Sequence, residues 1–165
     1  MVLNALLPRP PPEFSLRVCC GYYSPMSFVN PEAEEICALL KSVKTIAVVG
    51  FSPKPGRASH AIARRLQQFG FRVIPVRPGL SQDLGEKAYP DLASVAEPID
   101  LANVFRSGKH VPEVLDQCLR LGIKNLWMQE GAEHEESAER ARAAGMTVVM
   151  GRCIARDYAG LCLGE

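Results

Sequence analysis

From Lys44 to Met150 one unit recurs three times: an apolar strand, a turn, an amphipathic helix, a glycine and a further apolar strand. No other feature of the chain restricts its fold as strongly. The strand candidates, 45–49, 71–76, 101–104, 125–128 and 147–150, are mostly continuous apolar runs, the pattern of strands covered on both faces. Between them, 58–69 carries Ala58, Ile62, Leu66 and Phe69 at helical spacing, and 110–121 carries Val111, Val114, Leu115 and Cys118. Gly70, Gly122 and Gly145 each follow a helical stretch and precede a strand, where a left-handed residue suits glycine. The segment 84–91, with Gly85 and Pro90, suits a short extra strand or turn. Right-handed crossovers then give an α/β, Rossmann-like three-layer sandwich: a parallel sheet of about five strands, the first central, with helices on both faces.

The chain before this repeat divides in two. Pro8, Pro10, Pro11, Pro12 and Pro25 remove donors and block helix, so residues 1–25 are expected to form little ordered structure, an extension ahead of a domain at 26–165. Met26 suits a true start. Asn30 reads as an N-cap, Pro31 as the first helical residue and Glu32, Glu34 and Glu35 as a complement to the helix dipole. The resulting helix, 31–42, has Ile36, Leu39, Leu40 and Val43 on one face and is expected to pack on the domain as an addition.

A length of 165 residues suits one domain. A net charge of +1 with 22% charged residues argues against a polybasic nucleic-acid binder. No apolar run approaches the roughly 20 residues of a membrane span, and no signal-peptide pattern is present. Cys19, Cys20, Cys37, Cys118, Cys153 and Cys162 form no CxxC pair and no zinc spacing. We therefore expect reduced thiols, a cytoplasmic location, no metal, and neither nucleic acid nor membrane as partner.

In an open parallel sheet, ligands lie beyond the carboxyl ends of the strands. The first such loop reads Gly50-Phe51-Ser52-Pro53-Lys54-Pro55-Gly56-Arg57-Ala58-Ser59. Gly50 permits a sharp turn and close approach to a phosphate, and the following helix offers free amides at its N-terminus. Ser52 stands where GxGxxG has its second glycine, and Pro75-Val76-Arg77-Pro78 has no acid for a ribose 2′-hydroxyl, which weighs against a nicotinamide dinucleotide. Arg77 suits a ribose phosphate instead. Lys54 and Arg57, Arg77, Arg106 and Lys109, and Arg152 place cations after four strands; any one of them serves equally to solvate its loop, but as a set they form a rim that favours a ligand with several phosphates. Phe51, Phe105 and Trp127 serve either as apolar rim or as core aromatics.

Several runs together resemble the stand-alone CoA-binding proteins. They are Lys44-Thr45-Ile46-Ala47-Val48-Val49-Gly50-Phe51-Ser52-Pro53-Lys54-Pro55, Gly70-Phe71-Arg72-Val73-Ile74-Pro75-Val76-Arg77-Pro78, Val104-Phe105-Arg106, Trp127-Met128-Gln129-Glu130-Gly131, and Ala143 through Cys153. The resemblance spans about residues 30–162 and extends to the N-terminal domain of the succinyl-CoA synthetase α subunit. It implies a domain that holds coenzyme A by its phosphates. The implied contacts are Gly50, Phe51 and Ser52 on the pyrophosphate, Arg77 and Pro78 at the adenosine 3′-phosphate, and Val104, Phe105 and Arg106 on the neighbouring rim. Pro53, Lys54, Arg57 and Ser59 complete the candidate loop. The family usually has Asn or Ser where Arg77 stands and Asp where Gly151 stands.

Candidates for catalysis are few. His60 lies in the first turn after the loop as a binding or capping group, His110 starts a helix, and His134 sits in the acidic Glu133-His134-Glu135-Glu136 run as a solvated helix start. None stands in a triad-like arrangement. Cys153 follows Arg152, a cation that can lower a thiol pKa; a structural cysteine and a mixed disulfide with CoA are both compatible with that. The synthetase α subunit works through a phosphorylated histidine in a second domain, so the resemblance carries binding without catalysis. Three readings remain: a CoA-binding or sensor module, an NADP-dependent oxidoreductase, and a structural interaction domain with a vestigial pocket.

Overall fold

The computed structural model describes residues 28–164; the expectations for residues 1–25 and for Met26 lie outside the described residues. Along the chain come α1 (Ala33–Ser42), β1 (Thr45–Val49), α2 (Ala58–Gln68), β2 (Arg72–Val76), β3 (Gln82–Asp83), β4 (Glu86–Lys87) and β5 (Leu101–Val104). They are followed by α3 (Val111–Leu121), β6 (Asn125–Met128), α4 (Glu135–Ala143), β7 (Thr147–Met150), α5 (Ile154–Asp157) and a π-helical turn, Tyr158–Leu163. Five strands form one parallel sheet in the order β2-β1-β5-β6-β7. β1 is an inner strand, but β5 holds the centre, because three strands lie on one side of β1 and only one on the other. The chain reverses direction across the sheet between β1 and β5, and a crevice is expected there.

Alternate side chains divide the core into two layers. Ala47, Val49, Ile74, Ala102, Val104, Leu126 and Val148 meet Val111, Val114, Leu115 and Cys118 of α3 and Ala138 and Ala141 of α4. Ile46, Val48, Val73, Leu101, Trp127 and Val149 meet Ile36 and Leu40 of α1, Ala63 and Leu66 of α2 and Ile154 of α5. The architecture is the three-layer sandwich expected from the repeat. Each fully buried Leu, Ile or Val contributes roughly 1.5–3 kcal/mol. β5 also buries Asn103, whose Oδ1 accepts from Gln129 Nε2 at 3.0 Å.

Local differences from expectation have identifiable causes. α1 begins at Ala33 behind Glu32, which forms a reciprocal capping box with Glu35; Pro31 precedes the helix. Asn30 caps nothing, because Met150 takes its side chain: Met150 N donates to Oδ1 at 2.7 Å and Nδ2 donates to Met150 O at 2.9 Å. α1 is also more than an addition, since Ile36 and Leu40 are buried in the second core layer. On α2 the inward face is Ser59, Ala63 and Leu66, and Ala58 points to solvent.

The segment after β2 folds into a hairpin, β3 against β4, turned by Leu84 (φ 52°) and Gly85 (φ 76°), both left-handed as a two-residue hairpin loop requires. Tyr89 then pairs with the outer edge of β2: Arg77 N donates to Tyr89 O at 2.7 Å and Tyr89 N to Pro75 O at 3.0 Å.

The cysteines do not all remain thiols. Cys37 of α1 and Cys162 of the terminal turn are joined as a disulfide, their Cα atoms 5.4 Å apart across 125 positions of sequence. Such a pairing depends on tertiary proximity that linear spacing does not carry. Cys118 and Cys153 are free, and burial pushes the Cys118 thiol up to about 12. No described helix is long and apolar enough to cross a membrane.

Candidate functional site

At the carboxyl ends of β1, β2 and β5 lies a cleft of about 530 Å³. Gly50, Phe51, Arg77, Pro78 and Arg106, all expected site residues, line it together with Val49 and Val76. Its position is the crevice between β1 and β5.

Gly50 is required on two counts. Its φ of +84° lies in the left-handed region, and a Cβ placed on it would come 2.7 Å from Arg106 Cγ and 3.2 Å from Arg106 N. The glycine therefore lets the loop after β5 close against the loop after β1, which sets Arg106 at the cleft. The turn amides are already spent: Gly50 N and Phe51 N donate to Val76 O at 3.1 and 3.4 Å, and Ser52 N donates to Ser59 Oγ at 3.0 Å. Lys54 N reaches Ser52 Oγ at 3.5 Å, a weak contact. The amides of Ala58 and Ser59 at the start of α2 have no partner among the described residues, and the two prolines of the loop have no N–H. Free donors thus sit at the helix N-terminus, beside its positive dipole end, while the turn supplies shape.

The expected residues separate into groups. Phe51 contributes backbone to the cleft, but its ring is buried beneath the loop, with the His60 ring centroid 5.8 Å away. Val104 is wholly buried in the core and Phe105 packs half-buried in the second layer; neither lines the cleft. Pro53, Lys54 and Arg57 are exposed in the loop after β1 and do not line the cleft. Ser59 is buried and acts on the loop through Ser52. Arg77 Nη1 donates to Phe51 O at 3.3 Å, tying the end of β2 to the turn.

Arg152 does not join the rim. Its guanidinium holds Asp157 through two bonds, 2.5 and 3.0 Å, which push its pKa further up, and its carbonyl accepts from Trp127 Nε1 at 2.7 Å. Trp127 is accordingly a core residue. His60 packs on Phe51 with Nε2 3.6 Å from Asp83 and caps nothing. His134 is the N-cap of α4, its Nδ1 accepting from Ser137 N at 3.2 Å. Among the described residues no group of three or more His, Cys, Asp or Glu is placed to hold a metal.

Three polar residues of the cleft escaped the sequence reading: Asp91, Glu113 and Gln117. Asp91 and Gln117 are committed to the loop before β5, since Asp91 Oδ1 accepts from Ser94 N and Oγ, both at 2.8 Å, and Gln117 Oε1 accepts from Leu92 N at 3.2 Å. The one available signal was that Glu113 and Gln117 stand four apart on α3, flanking its apolar stripe.

Comparison with known proteins matches residues 44–159 to a family described as a CoA binding domain. An uncharacterised protein of Bacillus subtilis is 38% identical over 125 residues, 76% of this chain and 93% of its own length. The α subunit of an ADP-forming acetate–CoA ligase I from Pyrococcus furiosus is 30% identical over 122 residues, 64% of this chain and only 26% of that subunit. A solved hypothetical protein from Pyrococcus horikoshii superposes with a TM-score of 0.77 at 31% identity, covering 82% of this chain and 99% of that one.

Proposed function

This chain belongs to the CoA-binding domain family, and on that premise we propose that it binds coenzyme A or an acyl-CoA in the cleft between β1 and β5, as a non-catalytic binding or sensor module. The observation that carries this is the meeting, at one cleft, of the Gly50 turn with Arg106, a cation that has no protein partner among the described residues. The pyrophosphate lies against the turn and faces the free amides of Ala58 and Ser59, with Lys54 and Arg57 alongside. Arg77 and Pro78 take the adenosine 3′-phosphate, and the adenosine itself enters the cleft. The pantetheine arm leaves across the ends of β5 and β6.

Support for a role without chemistry comes from what the candidate groups are doing. His60 and His134 are engaged in packing and capping, and burial keeps the Cys118 thiol protonated. The ligases among the relatives exceed this chain several-fold in length, so their reaction is not transferred to it.

Arg77 at the end of β2 favours a second reading, an NADP-binding domain. Thermal melting of the full chain with CoA, 3′-dephospho-CoA, NADP and NAD separates the two. CoA at 100 times its Kd stabilises by about 2.7 kcal/mol; dephospho-CoA stabilises less. Stabilisation by NADP and not by CoA overturns the proposal. Stabilisation by none of the four favours an interaction domain with a vestigial pocket.

A further inference from the structure

Opposite Arg77 and Arg106, the cleft is walled by apolar Val76, Leu92 and Val114, and α3 adds two polar side chains, Glu113 and Gln117. Of these, Gln117 is oriented without ambiguity. Leu92 N can only donate, so the atom 3.2 Å from it is the amide oxygen, and Nε2 is the free end. Nε2 has no partner among the described residues. One helical turn earlier, the Glu113 carboxylate also has none, whereas the acid across the cleft, Asp91, is occupied by Ser94. The helix therefore presents one unused donor beside one unused acceptor.

A purine hung by N9 from a ribose at the Gly50 turn points its N1–C6 edge away from the phosphates. Adenine carries an acceptor, N1, and a donor, the N6 amino group, side by side on that edge. We propose that α3 reads the base of CoA: Gln117 Nε2 donates to N1, Glu113 accepts from N6, and the apolar walls cover the ring faces. This rests on the CoA reading above and adds a specificity-determining pair to it. A site that hydrogen-bonds its ligand rejects an analogue lacking those groups, because its own polar atoms are then left unpaired.

The test is calorimetric titration of the full chain with CoA and with 1,N6-etheno-CoA, whose added bridge removes the N6 hydrogens and the N1 lone pair. The wild-type chain binds the etheno analogue roughly 10- to 100-fold more weakly. Gln117→Glu keeps an oxygen for Leu92 N–H and exchanges the free donor for an acceptor, so the unliganded melting temperature holds. Its CoA affinity falls about tenfold or more, while its etheno-CoA affinity stays within about twofold of wild type. Equal wild-type affinities for the two ligands overturn the base reading and leave CoA binding standing. So does a Gln117→Glu variant that binds CoA as wild type does, since steric rejection of the bridge is then the whole effect. Wild type that binds neither ligand overturns both proposals.

Discussion

The two halves of the sheet's carboxyl edge start from similar sequence and end in opposite states. Beyond β1, β2 and β5, Arg106 lines an open cleft and Lys54 and Arg57 stand exposed in the loop after β1, cations that no described residue neutralises. Beyond β6 and β7, Arg152 is bound to Asp157, Arg156 to Glu130, and Gly131 N donates to Glu133 Oε1 at 3.0 Å. One edge has its charges available for a ligand, and the other has spent them on itself. A strand-end arginine marks a binding site only where the fold withholds a carboxylate from it.

Substitutions on each edge should separate these states. The largest effect is expected from Gly50→Val, which combines a β-branched residue at φ +84° with a clash against Arg106; roughly 3–5 kcal/mol of stability is lost, read from urea unfolding, along with CoA binding. A variant of wild-type stability would mean that the two loops do not depend on each other. On the closed edge, Asp157→Asn weakens the pairing of Arg152 and costs about 1–3 kcal/mol with CoA affinity unchanged; a drop in affinity would show that this edge also serves the ligand. On the open edge, Arg106→Met keeps the stem against Gly50 and removes the charge. CoA binding weakens about tenfold or more, with the unliganded melting temperature little altered, and no change in affinity would remove Arg106 from the site.

The smallest effect belongs to a pair remote from both edges, Arg72 with Glu97. The guanidinium holds the Glu97 carboxyl below its ordinary value of 4.5, so the pair's contribution is present above that pH and is lost as acidification passes through the lowered folded value. Both groups are partly exposed, so a double-mutant cycle at pH 7 should give under about 1 kcal/mol, and that little should fall away once acid protonates the Glu97 carboxyl. A larger coupling would show that solvent screens this surface less than its exposure implies.

The sheet was legible because its determinants are local. Four strands begin and end where the apolar runs do, and Val111, Val114, Leu115 and Cys118 of α3 are all buried as their spacing required. α5 and the turn after it were not read at all, since a four-residue helix has too few positions to show a period. At the site, the Gly50 turn was legible as a turn, but its packing partner Arg106 lies 56 positions on, and the loss of its amides to Val76 depends on strand pairing. Arg152 failed as a rim cation for the same reason: its partner is only five residues away, yet nothing in the spacing says that the chain folds back there. Asn30 has the right chemistry for a helix cap, and a tertiary acceptor and donor outcompeted the local ones.

That displaced asparagine also bears on how the sheet terminates. A primary amide offers an acceptor and a donor side by side, as a backbone residue does, so Asn30 stands beside Met150 as a strand one residue long. On the opposite margin Tyr89 does the same for β2 with its own backbone. Each outer strand thus meets a stub one residue long, and a second molecule arriving edge-on finds hydrogen-bonding positions there already filled. Open margins of this kind are where sheets add strands from neighbouring chains and aggregate. Here a single side chain and a single tyrosine residue provide part of the protection that other folds obtain from a bulge, a proline or a row of lysines.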